Sequence, residues 1–146
     1  MRRDGARTPA FGNVKWVTFP RSVLRTFPIV KRLYYATINT LRGLAYGFRH
    51  EPAVREEAIV LLLALPFGLV VAPGVVWYVA MVGSLFALLG VELLNTAIEK
   101  LADHITRERH PEIGVVKDFG SAAVFCMICL AGLIWLAAIA IRCGLL

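Results

Sequence analysis

Four polar residues recur at helical spacing where a long apolar segment ends, in the sequence VELLNTAIEKLAD. They are Glu92, Asn95, Glu99 and Asp103. At about 100° per residue their side chains fall within a band of roughly 80°, so they form one acidic stripe along a helix. The stripe rises about 16 Å from its first residue to its last. Such carboxylates can bind Mg²⁺, which takes oxygen ligands, or can remove the proton of a hydroxyl group.

Glu92 has the most unusual setting within the acidic stripe. The residues LFALLGV precede it and two leucines follow it. Ionisable side chains at membrane depth are costly, and they usually face the interior of a helix bundle or a water-filled cavity. Glu92 is therefore a candidate functional residue, whereas Asp103 is equally compatible with the solvated end of a helix. A proton or cation path through the membrane is another use of such a stripe.

A lysine and an acid stand just before the next apolar run, in the sequence GVVKDFGSAAV. Lys117 can bind a phosphate group as a point charge, with Asp118 beside it. A lysine that extends its ammonium group to the membrane surface explains the same pattern. Both interpretations remain open on the residues alone.

Three acids precede the first apolar run, in the sequence HEPAVREE. They are Glu51, Glu56 and Glu57. Acids favour the N-terminal end of a helix, and Pro52 is compatible with a first helical turn. This role in helix initiation explains all three acids unless one of them reaches the acidic stripe.

The elements that must position these residues are membrane helices. Hydrophobic residues make up 58% of the 146 residues and charged residues 18%, which is too apolar for an ordinary soluble domain. Residues 58–91 and 119–141 contain no Asp, Glu, Lys or Arg. A span needs about 20 apolar residues, and Pro73-Gly74 is a turn signal that divides the first run. We therefore predict spans at about 56–73, 75–103 and 117–142.

Basic residues predict how these spans are oriented. Lys and Arg are frequent before residue 58. The loop 104–116 and its flanks carry Lys100, Arg107, Arg109 and Lys117, and the hairpin at 70–78 has no charge. The N-terminus and that loop are therefore predicted to be cytoplasmic, and the C-terminus to lie outside. Residues 29–50 have the pattern of an amphipathic surface helix, and residues 1–28 that of a poorly ordered tail. The net charge of +6 suits an anionic inner leaflet, and we expect no nucleic-acid partner.

The sequences VELLNTAIEKLADHI, RERHPEIG and KDFGSAAV together resemble the prokaryotic diacylglycerol kinase family, from about Lys31 to Ile141. The resemblance implies an all-α protein of the bacterial cytoplasmic membrane. It also implies an N-terminal amphipathic surface helix, three transmembrane helices, and a homotrimeric bundle with active sites shared between subunits. The implied reaction is the phosphorylation of diacylglycerol with ATP and Mg²⁺.

The sequence alone leaves other functions open. Undecaprenol kinases belong to the same family, but their third span tends to begin KDVAAGAV, so KDFGSAAV favours diacylglycerol as the substrate. The acidic stripe also suits a small oligomeric ion or proton pathway, which is a more remote alternative. A structural membrane subunit is a third.

The resemblance also implies roles for individual residues around the lipid hydroxyl group. Glu92 matches the general base. Glu99 and Glu51 match two carboxylates that bind Mg²⁺. Asn95 matches a residue that orients substrate or phosphate, and Glu57 matches an acid of the same region.

A second set of residues is implied for the nucleotide. Lys117 matches the residue that contacts the ATP phosphates, with Asp118 beside it. Asp103 matches a nucleotide-contacting acid, and Arg32 a basic residue of the surface helix. The chain departs from the family pattern at Pro52, where the family often has Ala, and in its longer tail 1–28.

Overall fold

The computed structural model describes residues 28–106, 108 and 110–146, and this part of the chain is helical. Its helices are α1 (Pro28–His50), α2 (Pro52–Val71), α3 (Val75–Ile105) and α4 (Pro111–Arg142). The all-α prediction is confirmed for the described residues. The tail predicted at 1–28 lies outside them, except for Pro28, which begins α1. The chain divides into two compact units, residues 1–40 and residues 41–146.

Two of the helices are long and apolar enough to cross a membrane. These are α3, with 31 residues, and α4, with 32 residues. At 1.5 Å per residue each is about 45 Å or more in length, which exceeds the roughly 30 Å hydrocarbon core of a bilayer. One end of each helix must therefore extend beyond the core. The first predicted span, at about 56–73, coincides with α2, whose first two turns contain Arg55, Glu56 and Glu57, and it stays a prediction.

Prolines determine where α2 and α4 begin. Pro52 and Pro111 each stand in the first turn, where the missing amide hydrogen costs no hydrogen bond. Glu112, in the first turn of α4, is a favourable charge at a helix N-terminus. Because α4 begins at Pro111, the connection between α3 and α4 is shorter than the predicted loop 104–116. Between α2 and α3, the turn predicted at Pro73-Gly74 is present.

The packing of the second unit is organised around α3, which contacts both α2 and α4. A cluster of buried side chains joins α2 to α3 and consists of Val54, Leu61, Val82 and Leu89. Two side chains add hydrogen bonds to backbone carbonyl groups. Tyr78 Oη donates to Leu65 O at 3.3 Å, and Trp135 Nε1 donates to Met81 O at 3.1 Å. The acidic stripe therefore lies on the helix that has neighbours on two sides.

Candidate active site

The acidic stripe passes from buried to exposed along α3. Glu92 and Asn95 are only 7% and 8% exposed, Glu99 is half-buried and Asp103 is exposed. The burial of Glu92 agrees with its apolar sequence context. A carboxylate in this position must be shielded from lipid by neighbouring polar groups or by bound ligands, because burying it alone is costly.

Asn95 and Glu99 are linked within the stripe. Asn95 Nδ2 donates a hydrogen bond to Glu99 Oε1 at 3.3 Å. Their spacing of four residues places the two side chains one above the other on the helix. Asn95 also lies against Gly120 of α4, where the absence of a side chain leaves room for the amide group. The site thus involves α4 as well as α3.

Four carboxylates lie near one another around Glu92: Glu92 and Glu99 on α3, Glu57 on α2, and Glu51 between α1 and α2. The Glu92 carboxylate lies within electrostatic range of Glu99 and Glu51, and Glu57 lies within range of Glu92. Glu57 Oε2 is buried without a hydrogen-bond partner among the described residues. So much negative charge at short range favours the binding of cations or of proton-donating groups.

Lys100 is a site neighbour that the sequence analysis used only as a topology signal. Its Nζ atom forms a salt bridge with Glu51 Oε1 at 2.6 Å and lies 5.3 Å from the centre of the Tyr46 ring. Tyr46 stacks on His50 with ring centres 4.4 Å apart. Lys100 therefore connects the end of α1 and the start of α2 to α3. The partners are far apart in sequence, so helical spacing could not have revealed this contact.

The predicted phosphate-contacting residues lie at the connection between α3 and α4. Lys117 Nζ pairs with Asp103 Oδ1 at 2.5 Å. Both residues line a cavity of about 410 Å³, together with Thr106, Glu108 and His110. Asp118 follows on α4 and is exposed. A cavity with a lysine at the end of a membrane helix is suited to a phosphorylated ligand that arrives from water.

An apolar groove runs along the second unit towards Glu57. One section, of about 430 Å³, is lined by residues of α2, α3 and α4, including Phe67 and Trp135. A second section, of about 310 Å³, includes Glu56 and Glu57. The two sections share lining residues, namely Val60, Leu85, Leu88 and Ile128. The groove is thus apolar along most of its length and acidic at one end.

Two predicted features stay predictions, namely the nucleotide contact of Arg32 and the metal site. Arg32 is exposed on α1 in the unit of residues 1–40. Within the described part of the chain, no three His, Cys, Asp or Glu side chains are close enough together to hold a metal ion.

Comparison with known proteins identifies relatives across most of the chain. Residues 38–139 match the family model for prokaryotic diacylglycerol kinase. A diacylglycerol kinase of Haemophilus influenzae is 34% identical over 103 residues, which is 70% of this chain and 87% of that protein. Diacylglycerol kinases of Escherichia coli and Pseudomonas aeruginosa are 34% and 33% identical, and the matches cover 71% and 73% of this chain and 85% and 86% of those proteins. The matched segment contains every candidate site residue except Arg32.

Proposed function

Because the chain belongs to the prokaryotic diacylglycerol kinase family, we propose that it transfers the γ-phosphoryl group of ATP to the free hydroxyl group of diacylglycerol. The products are phosphatidic acid and ADP. The observation that carries this proposal is the burial of Glu92 beside Asn95, on a helix that can cross a membrane. A buried base at membrane depth can reach a hydroxyl group that stays in the lipid layer.

Glu92 acts as the general base in this reaction. The hydroxyl oxygen of the lipid attacks the γ-phosphorus, its proton passes to the Glu92 carboxylate, and the bond from the γ-phosphorus to the β-phosphate bridging oxygen breaks. ADP leaves with that oxygen. Phosphoryl transfer depends mainly on positioning and charge stabilisation. The fixed neighbours of Glu92 on α3 serve the positioning.

Glu51 and Glu99 would hold Mg²⁺, whose positive charge offsets the charge of the transferring phosphoryl group. Their oxygen atoms are of the type that Mg²⁺ prefers. The Glu99 carboxylate is oriented by Asn95, and Glu51 Oε1 is paired with Lys100. Because Mg²⁺ usually takes one or two carboxylates and completes its shell with phosphate oxygens and water, two carboxylates fit this role.

The ATP phosphates lie near Lys117 in the cavity at the connection between α3 and α4. Asp103 holds the lysine side chain at the cavity wall, and Asp118 lies beside it on α4. Arg32 of α1 is a further proposed contact of the nucleotide. This arrangement lets ATP enter from the cytoplasm, while the lipid remains in the membrane.

The apolar groove accommodates an acyl chain of the lipid, and its acidic end lies towards the glycerol hydroxyl group. Glu57, whose Oε2 atom is buried without a partner among the described residues, lies at this acidic end, and the hydroxyl group donates its one proton to Glu92. The sharing of lining residues by the two groove sections makes one continuous path for a chain. Diacylglycerol combines the required apolar chains with a hydroxyl group at the interface.

The protein functions as a homotrimer in the bacterial cytoplasmic membrane, with three spans in each subunit. Its N-terminus and the connection between α3 and α4 face the cytoplasm, and its C-terminus lies outside. Many large apolar side chains are exposed on the second unit, for example Leu62, Phe86 and Phe125. Lipid and neighbouring subunits would cover them.

The test is ATP-dependent phosphorylation in mixed micelles, with and without Mg²⁺, and with diacylglycerol and undecaprenol offered separately. We expect Mg²⁺-dependent transfer to diacylglycerol. Preference for undecaprenol would overturn the substrate assignment while keeping the reaction. If neither lipid is phosphorylated and the protein allows ion flux into liposomes, the proposed kinase function is wrong and an ion pathway takes its place.

A further inference from the structure

Helices α3 and α4 approach each other closely where Gly120 faces Asn95. Gly120 is buried, and a Cβ atom at this position would overlap with Asn95 Oδ1 and lie 3.2 Å from Asn95 Cγ. At Gly114 and Gly132, on the same helix, an added Cβ would meet no atom within 4 Å. The requirement for glycine at 120 therefore arises from one contact with a polar side chain of the acidic stripe.

The amide group of Asn95 has a defined orientation. Its Nδ2 atom donates to Glu99 Oε1, and its Oδ1 atom is buried without a hydrogen-bond partner among the described residues. A carboxylate only accepts hydrogen bonds, so the amide must present its nitrogen to Glu99 and its oxygen towards α4. One hydrogen bond and the space at Gly120 thus determine where this amide lies.

We propose that Gly120 is a positioning residue for the kinase reaction, because its missing side chain leaves Asn95 free to orient the Glu99 carboxylate. This inference rests on the proposed function, in which Glu99 holds the divalent cation. Gly120 acts only through Asn95 and touches no reacting atom. A methyl group at 120 would displace the amide, break its bond to Glu99 and leave that carboxylate to rotate.

Displacement of Glu99 would reduce both cation binding and turnover. Catalysis by positioning is steep in distance, and a displacement of about 1 Å lowers rates on the order of 100-fold. The lipid groove does not include Gly120 or Asn95. The KM for diacylglycerol should therefore change little, while the cation requirement rises.

The experiment compares Gly120→Ala with Gly90→Ala in the full-length protein in detergent micelles. An added Cβ at Gly90 meets no atom within 4 Å. Mn²⁺ replaces Mg²⁺ as the probe, and its binding is measured without turnover from the paramagnetic resonance signal of the free ion. We expect Gly120→Ala to bind Mn²⁺ about 10-fold more weakly and to lose activity by about 10- to 100-fold. Gly90→Ala should match the wild-type protein.

A double-mutant cycle with Asn95→Ala tests whether the effect passes through Asn95. Asn95→Ala removes the amide and should weaken Mn²⁺ binding as Gly120→Ala does. In that background Gly120→Ala should cause no further loss, because the overlapping atoms are absent. Equal losses in both backgrounds, or wild-type binding by Asn95→Ala, would overturn the inference. Asn95→Ala removes atoms and causes no overlap between helices. If Gly120→Ala does not fold, Mn²⁺ binding by Asn95→Ala therefore still tests the inference.

The wild-type protein separates failure of the inference from failure of the proposed function. Absence of diacylglycerol phosphorylation by wild type would overturn both. Normal wild-type activity with full activity and Mn²⁺ binding in Gly120→Ala would overturn only the role of Gly120. An active wild-type protein that binds no Mn²⁺ would likewise contradict the route through Glu99.

Discussion

At the scale of single residues, Glu92 can be changed in charge with little change in shape. We expect Glu92→Gln to lower kcat by about 100- to 10,000-fold, because an amide of similar size cannot accept the proton of the lipid hydroxyl group. The KM for diacylglycerol should change much less, since the groove is intact. The measurement is phosphatidic acid formation in mixed micelles at saturating Mg²⁺ and ATP.

Glu112→Gln is the matched control for this change. Glu112 is an exposed acid in the first turn of α4 and has no place in the proposed mechanism. Its replacement should leave turnover unchanged, and both variants should unfold near the wild-type temperature. Near-normal turnover by Glu92→Gln would contradict the general-base role, because no other group in the mechanism takes that proton.

At the scale of helices, two glycines of α1 provide a contrast in packing. A Cβ at Gly47 would lie 3.0 Å from Val54 Cγ1, and Val54 is almost fully buried in α2. At Gly43 it would meet no atom within 4 Å. We expect Gly47→Ala to destabilise the protein by about 1–3 kcal/mol through overpacking. Gly43→Ala should stabilise it by up to about 1 kcal/mol, because alanine favours the helix.

Thermal unfolding in one detergent measures both glycine variants. The opposite signs matter more than the magnitudes, since both substitutions add the same methyl group to the same helix. A stabilising effect of Gly47→Ala would show that α1 and α2 pack less closely at Val54 than the structure indicates.

The salt bridge between Lys100 and Glu51 links the start of α2 to α3, and it should depend on salt. Its side chains are 46% and 23% exposed, so it contributes about 1 kcal/mol or less. We expect Lys100→Met to lower the unfolding temperature slightly at low salt, with EDTA present. The difference should shrink towards 1 M salt, where the screening length is roughly 3 Å. Lys31→Met, on an exposed part of α1, should show no such dependence.

The sequence was sufficient for features that depend on neighbouring residues along one helix. The apolar runs predicted α3 and α4, and Pro73-Gly74 predicted the turn before α3. The 100° spacing placed Asn95 and Glu99 side by side. The start of α4 was placed too late, because its first turns are polar and the pattern of apolar residues begins only after Lys117.

Contacts between helices could not be predicted from the sequence. The pairing of Lys100 with Glu51 and the overlap that a side chain at 120 would cause both depend on how two helices pack. Neither distance follows from periodicity. Gly120 has no side chain that a periodic pattern could register, and its particular role required the position of Asn95.

At the scale of the whole molecule, the proposed division of the site between subunits can be tested directly. Within one chain, Lys117 of α4 pairs with Asp103 of α3, which lies one turn after Glu99. A site shared between subunits must nevertheless combine α3 of one chain with α4 of another. The two arrangements differ in what happens when inactive chains are mixed.

We expect Glu92→Gln and Lys117→Leu chains, each inactive alone, to recover about a third of wild-type activity when they are co-expressed and the trimers that contain both chains are isolated. In a cyclic trimer that contains both chains, about one site in three would combine an intact α3 with an intact α4 from the neighbouring chain. Mixing Glu92→Gln with Asn95→Ala is the control, because both changes lie on α3 and no site regains an intact α3. Activity is measured after purification through two different affinity tags, one on each chain. Recovery in neither mixture would contradict shared sites and assign Glu92 and Lys117 to one subunit, and equal recovery in both would show reversion or exchange between chains.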